Sequence, residues 1–184
     1  MIRPAFFIYI YKKSMLPRSE IIPAEFYQGY IDLIKEEDIY KALDKNTRQF
    51  RKFLKKIPRK KIDFAYAEGK WTIREMLQHI IDAERVFVYR ALTFSRLDGN
   101  PLPGFDENTW AANAGAAERG WNDLQDEWNA IRKSTILLYD SMTDHQLGFR
   151  GQANGRPLNA FTLAYVIPGH VAHHMNILKE RYLK

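Results

Sequence analysis

Five histidines stand in this sequence, and four of them, His79, His170, His173 and His174, fall inside segments of apolar helical periodicity. A polar ring in such a place needs a partner, because burying it unpaired costs free energy. His170 and His174 are four apart, so on a helix they share one face about a turn apart. Two imidazoles so placed reach one ion. His79 lies a turn and a half into an earlier segment, deep enough to face a neighbouring helix. Three neutral imidazoles suit zinc, nickel, iron or copper. Three protein ligands leave a position for water or substrate, which is the catalytic arrangement. An H-x-x-x-H pair alone is a weak signal, since core histidines are more often simply hydrogen-bonded. The third histidine, on a separate core segment, strengthens it. His173 competes with His174, but the four-residue step from His170 stays nearer one face. His145, in the turn Thr143-Asp144-His145, reads as surface.

Other polar residues fall near that stripe. Arg90 is eleven residues past His79, only about 20° away around a helix. It reads as a holder of an anionic substrate or carboxylate, or equally as a charge at the bundle's mouth paired with an acid. Asp82, three residues past His79, reads as a group that orients it or acts as a base. Glu84, about 140° round, is expected to meet Arg85 or Arg181 rather than a metal. Tyr89, Trp110 and Tyr165 are candidates to line a cleft, or ordinary core aromatics.

Four long elements position these residues. The first spans about Glu36 to Ile57, after a shorter helical piece near Ala24–Ile34, and Pro58 stops it. The second opens at Trp71-Thr72-Ile73-Arg74-Glu75, where Thr72 and Glu75 form a capping box. It continues to about Leu97, and Asp98-Gly99-Asn100-Pro101 ends it. The third carries Trp121, Leu124, Trp128, Ile131, Thr135, Leu138 and Met142 in steps of three and four, an a/d seam. The fourth runs from about Asn159 to Tyr182. Pro168 inside it predicts a kink or a tight start just ahead of His170. Little reads as strand. Four amphipathic helices bury one another most simply as an all-α four-helix bundle. The connection from Asp98 to about Gly120 is too long for a plain hairpin link, so a crossover, or a loop folded over one end, is expected between the second and third helices.

The totals fit one globular domain. The 184 residues are 46% hydrophobic and 14% aromatic, so a core can form. There is no cysteine, which excludes disulfides, thiolate ligands and a cysteine nucleophile. The run Ala5–Tyr11 is too short for a bilayer, which needs about 20 residues. With Lys12-Lys13 behind it and no small-residue cleavage site, it makes a poor signal peptide. Residues 1–14 are read as a disordered or loosely docked extension, and residues 15–184 as the single domain, cytoplasmic and without a membrane segment. The net charge of +6 permits acidic partners without requiring them. The basic run Arg48, Arg51, Lys52, Lys55, Lys56, Arg59, Lys60 and Lys61 could present a phosphate-binding face. It reads better as a solvated face, so nucleic acid is not an expected partner. No phosphate loop, G-x-S-x-G elbow or dinucleotide fingerprint is present.

Three stretches together resemble the DinB-like (DinB/YfiT-like) superfamily. They are Gly69-Lys70-Trp71-Thr72-Ile73-Arg74-Glu75-Met76-Leu77-Gln78-His79 with its continuation to Arg85, the loop Pro101–Asn108, and Gly169–Tyr182. The resemblance covers roughly Met15 to the C-terminus. It implies a four-helix bundle with a long crossover and a three-histidine site for a divalent ion, often zinc or nickel. One ligand comes from the second helix and two from the last, at the positions of His79, His170 and His174. It also implies a homodimer and a small-molecule substrate. Some relatives transfer or isomerise with a low-molecular-weight thiol, and others carry names as metal-dependent hydrolases. The expectation is therefore a metal-dependent enzyme, an S-transferase or hydrolase. A non-catalytic metal-binding stress-response protein and a nucleic-acid-associated basic bundle are the alternatives.

Overall fold

A computed structural model of the chain describes residues 16–23 and 25–184. The expected extension, residues 1–14, lies outside the described residues, as does Ala24, where the short N-terminal helical piece is expected to begin.

Three of the four long helices start at a side chain that satisfies free backbone N–H groups. Asp38 accepts from the Lys41 amide at 2.9 Å and opens α2 (Ile39–Leu54). Thr72 and Glu75 form the expected capping box at the head of α3 (Ile73–Ser95). Asn159 accepts from the Thr162 amide at 2.7 Å and opens α7 (Ala160–Ile177). The shorter α1 (Glu25–Ile31) precedes them, and α4 (Glu107–Asn113), α5 (Trp121–Asp140) and α6 (Asp144–Gly148) lie between α3 and α7. After α7 the chain adds one π-helical turn, Leu178–Tyr182. Among the described residues no helix is long and apolar enough to cross a membrane.

The four long helices pack in the cyclic order α2–α7–α3–α5. Side-chain contacts between α3 and α5 advance together along both. Gln78 accepts from Arg119 just ahead of α5, and Glu84 accepts from Arg132 farther on. These neighbours are therefore parallel, and parallel helices need a connection that returns the full length. That is the physical reason for the crossover expected between them. It is not structureless: it carries α4 and a 3-10 turn at Ala116–Glu118, both packed on α3.

α7 is the central element. Every residue from Ala160 to Val171 is buried, and the helix packs against α1, α2 and α3. An all-round apolar helix belongs inside. The tight start expected ahead of His170 does not occur, because α7 begins at Ala160 and runs through Pro168. The Pro168 carbonyl accepts from Asn46 Nδ2 of α2 at 3.0 Å. At Gly169 a Cβ would lie 2.2 Å from the Tyr30 carbonyl oxygen, so glycine is what lets the backbone of α1 rest on α7.

Two further expectations need correction. The buried line of α5 runs Leu124, Trp128, Arg132, Thr135, Tyr139, while Ile131 and Leu138 are only partly buried. The apolar seam slips round by one residue, because a straight helix drifts against a seven-residue repeat. And a small hairpin is present, β1 (Gly151–Ala153) with β2 (Arg156–Leu158). Its turn is Asn154-Gly155, both at positive φ, the two-residue geometry that asparagine and glycine tolerate. Leu102 of the crossover joins β1 through two backbone hydrogen bonds, at 2.9 Å each, which pins the crossover to the α5–α7 link.

Candidate metal centre

His79 projects from α3, and His170 and His174 project from successive turns of α7. Their Nε2 atoms converge: that of His170 lies 3.0 Å from His79 Nε2 and 3.0 Å from His174 Nε2. All three rings are buried. A neutral imidazole has one N–H, so His170 Nε2 can donate to only one of the two nitrogens that face it. That leaves the other contact without a hydrogen bond, whereas a cation can take a lone pair from all three Nε2 atoms at once. Burial first, and then the neighbouring rings, pushes the His170 pKa well below the ordinary 6.5. Burial drives His174 the same way and lowers His79 to about 4. The three are therefore neutral near pH 7, the ligand form. His174 Nδ1 is buried with no hydrogen-bond partner. The donor set fits a divalent ion with imidazole ligands. Among the described residues, these three are the grouped His, Asp and Glu donors able to hold one.

The remaining two histidines are outside the ligand trio, although the His173 and His174 ring centroids lie 5.1 Å apart. His173 is only partly buried and turns edge-on to Tyr30, with ring centroids 5.2 Å apart. His145 is exposed on α6.

The cluster opens into a cavity of about 370 Å³. On α3 its wall is His79, Ala83, Phe87 and Arg90, which lie within about 80° of one another around the helix. Arg90 thus reaches the cavity, 2% exposed. It donates to the Tyr27 hydroxyl and to the Pro103 carbonyl, each at 3.0 Å. Trp71 covers the His79 ring, with centroids 4.8 Å apart. From α1, Tyr30 packs edge-on against His170 at 5.4 Å. Burial, then Tyr27 and Glu107, raises the Tyr30 pKa, so its hydroxyl stays protonated near neutrality.

Asp82 is not brought to this cavity. Three residues past His79 it falls about 60° to the other side of the stripe. Its carboxylate accepts from Gln78 Nε2 at 2.9 Å and lies 3.5 Å from Arg85, in a neighbouring cleft that also holds Tyr89 and Trp110. Burial raises its pKa, against the pull of Gln78 and Arg85. Tyr165 is a core residue whose hydroxyl donates to the Glu37 carbonyl at 2.7 Å. Glu84 meets neither Arg85 nor Arg181. It takes two hydrogen bonds from Arg132 on α5, at 2.7 and 2.9 Å, and a third from Thr135. The sequence reading missed the cavity wall supplied by α1. The spacing of Tyr27 and Tyr30, three apart in a short helical segment, was the available signal.

The cyclic order of the helices, the crossover and the buried histidine trio define a class, the four-helix bundle with a histidine centre between two of its helices. A model of the DinB superfamily matches residues 42–178, and the chain belongs to that superfamily. The chain is 26% identical over 152 residues to an Oceanobacillus iheyensis protein named "Putative metal-dependent hydrolase OB0413", an alignment covering 78% of this chain and 84% of that one. Its fold is similar to that of YfiT from Bacillus subtilis, described as "a probable metal-dependent hydrolase with an unusual four-helix bundle topology". The TM-score there is 0.65 at 16% identity, over 91% of each chain.

Proposed function

We propose that this protein is a metal-dependent enzyme acting on a small molecule, with a divalent ion, zinc or nickel, held by His79, His170 and His174. The observation that carries this reading is the meeting of three buried Nε2 atoms at the floor of a cavity. When bound, such an ion lowers the pKa of a water to about 7, or holds a thiol as thiolate. The residues of the chain do the rest. The three imidazoles stay neutral and present lone pairs. Trp71, Phe87 and Tyr30 wall the centre and exclude bulk water. The Tyr30 ring packs edge-on against His170, and its hydroxyl keeps its proton near neutrality. Asp82 can serve as base only from the neighbouring cleft, through solvent.

The chain has no cysteine, so a thiol in the reaction is an external one of low molecular weight. Transfer to such a thiol is the preferred reaction and hydrolysis the second, which the names of the relatives favour. A homodimer in the cytoplasm is the expected setting. The test offers metal-loaded protein an electrophile with and without bacillithiol, mycothiol or glutathione. The expected result is turnover lost with chelator and in His174→Ala. Turnover indifferent to both refutes the enzyme. Turnover that needs metal but no thiol selects hydrolysis.

A further inference from the structure

We propose that Arg90 and Tyr27 form an anion subsite in the histidine cavity, and that the substrate is an elongated small carboxylate with an apolar middle. This deepens the metal-enzyme reading by naming the substrate class of that same site.

Arg90 is a buried cation with no carboxylate within ion-pair distance among the described residues. Burying an uncompensated charge is costly unless something pairs with it. Among the described residues its two hydrogen bonds go to neutral oxygens and occupy two of its five N–H donors. The Tyr27 hydroxyl accepts from Arg90 and keeps its own hydrogen to donate. A carboxylate entering there meets a guanidinium and a hydroxyl together, the geometry that makes charge-assisted hydrogen bonds strong. Glu107 also borders the cavity, but it is solvent-exposed and forms no ion pair with Arg90.

The apolar middle follows from the same wall. Arg90 starts roughly 16 Å beyond His79 along α3, at about 1.5 Å per residue, and its long side chain leans back toward the helix N-terminus. The Phe87 ring lies between, 5.6 Å from His170 and 6.0 Å from Tyr27. The ligand therefore spans from Arg90, across Phe87, to the histidines, with its reacting group at the far end from its charge.

The experiment measures phenylbutyrate and its uncharged amide against the full chain by calorimetry, both metal-free and zinc-loaded. Phenylbutyrate is expected to bind in both states and the amide in neither. Arg90→Met should weaken phenylbutyrate by about tenfold or more, and Arg90→Lys and Tyr27→Phe by less. Equal binding of acid and amide, no binding of the acid to the wild type, or equal binding to Arg90→Met overturns the subsite. So does binding that appears only with zinc and vanishes in His174→Ala, which would place the carboxylate on the ion. If Arg90→Met fails to fold, a wild-type crystal soaked with phenylbutyrate decides. A carboxylate against Arg90 supports the subsite, and one elsewhere overturns it. Binding in metal-free protein stands or falls separately from the metal reading.

Discussion

Arg132 of α5 and Glu84 of α3 meet inside the bundle as a two-pronged ion pair, Nε to Oε1 at 2.7 Å and the second nitrogen to Oε2 at 2.9 Å. Arg132 is 0% and Glu84 2% exposed as side chains. The guanidinium also donates to Asn46 and Thr47 of α2, and Asn46 donates on to the Pro168 carbonyl of α7. One polar chain thus ties all four long helices. Removing one partner leaves a buried charge alone, so Arg132→Ala is expected to cost about 3–5 kcal/mol. Urea unfolding measures it. Replacing the pair together, Glu84→Leu with Arg132→Met, should restore part of that loss. A single variant within about 0.5 kcal/mol of wild type would contradict the buried pair.

Metal binding should stabilise the folded chain by mass action. An ion present at about a thousandfold over its Kd raises stability by about 4 kcal/mol. Differential scanning of metal-free protein with added zinc or nickel should show a clear rise in Tm. His170→Ala should abolish that rise while keeping the helical circular dichroism. An equal rise in that variant would move the ion elsewhere.

Gly169→Ala is expected to lift α1 from α7, because the new methyl meets the Tyr30 carbonyl. Overpacking of this kind costs about 1–3 kcal/mol. Since α1 carries Tyr27 and Tyr30, the change should also weaken ligands of the cavity, whereas Gly29→Ala, with open space around it, should not. Parallel unfolding and binding curves for the two variants check this.

Acid should weaken the protein partly through Glu127. Burial works to raise its carboxyl, but Arg85 and Arg119 outweigh it and hold it below the ordinary 4.5. A depressed folded value means that the unfolded chain takes the proton more readily. The contribution is present in full above pH 4.5 and disappears as pH falls through the lower folded value. Arg85 is half-exposed, so solvent screening limits the contribution to about 1 kcal/mol or less. Glu127→Gln should flatten the acid limb of a stability–pH curve by that amount, and an unchanged limb would show that the pairing adds nothing.

Much of this was legible in the chain. Helix periodicity and caps gave the four long elements, since each apolar stripe and each start signal is local. The i, i+4 spacing gave His170 and His174 a common face for the same reason. The Glu84–Arg132 pair was not legible, because its halves are 48 apart in sequence and an apolar scan passes over an arginine. The hairpin was hidden by strands of three residues, although Asn154-Gly155 was a usable turn signal. Asp82 was assigned by proximity in sequence, where angular position on α3 decides. The role of α1 depends on a close backbone approach at Gly169, and no local pattern announces such a contact.

The polar chain through Asn46, Arg132 and Glu84 joins every long helix, whereas the three imidazoles belong to only two. Scaffold and histidine centre thus have separate foundations. A lineage that lost one of those rings would forfeit its chemistry and keep its shape, so kinship in architecture alone is no warrant of shared activity among such bundles.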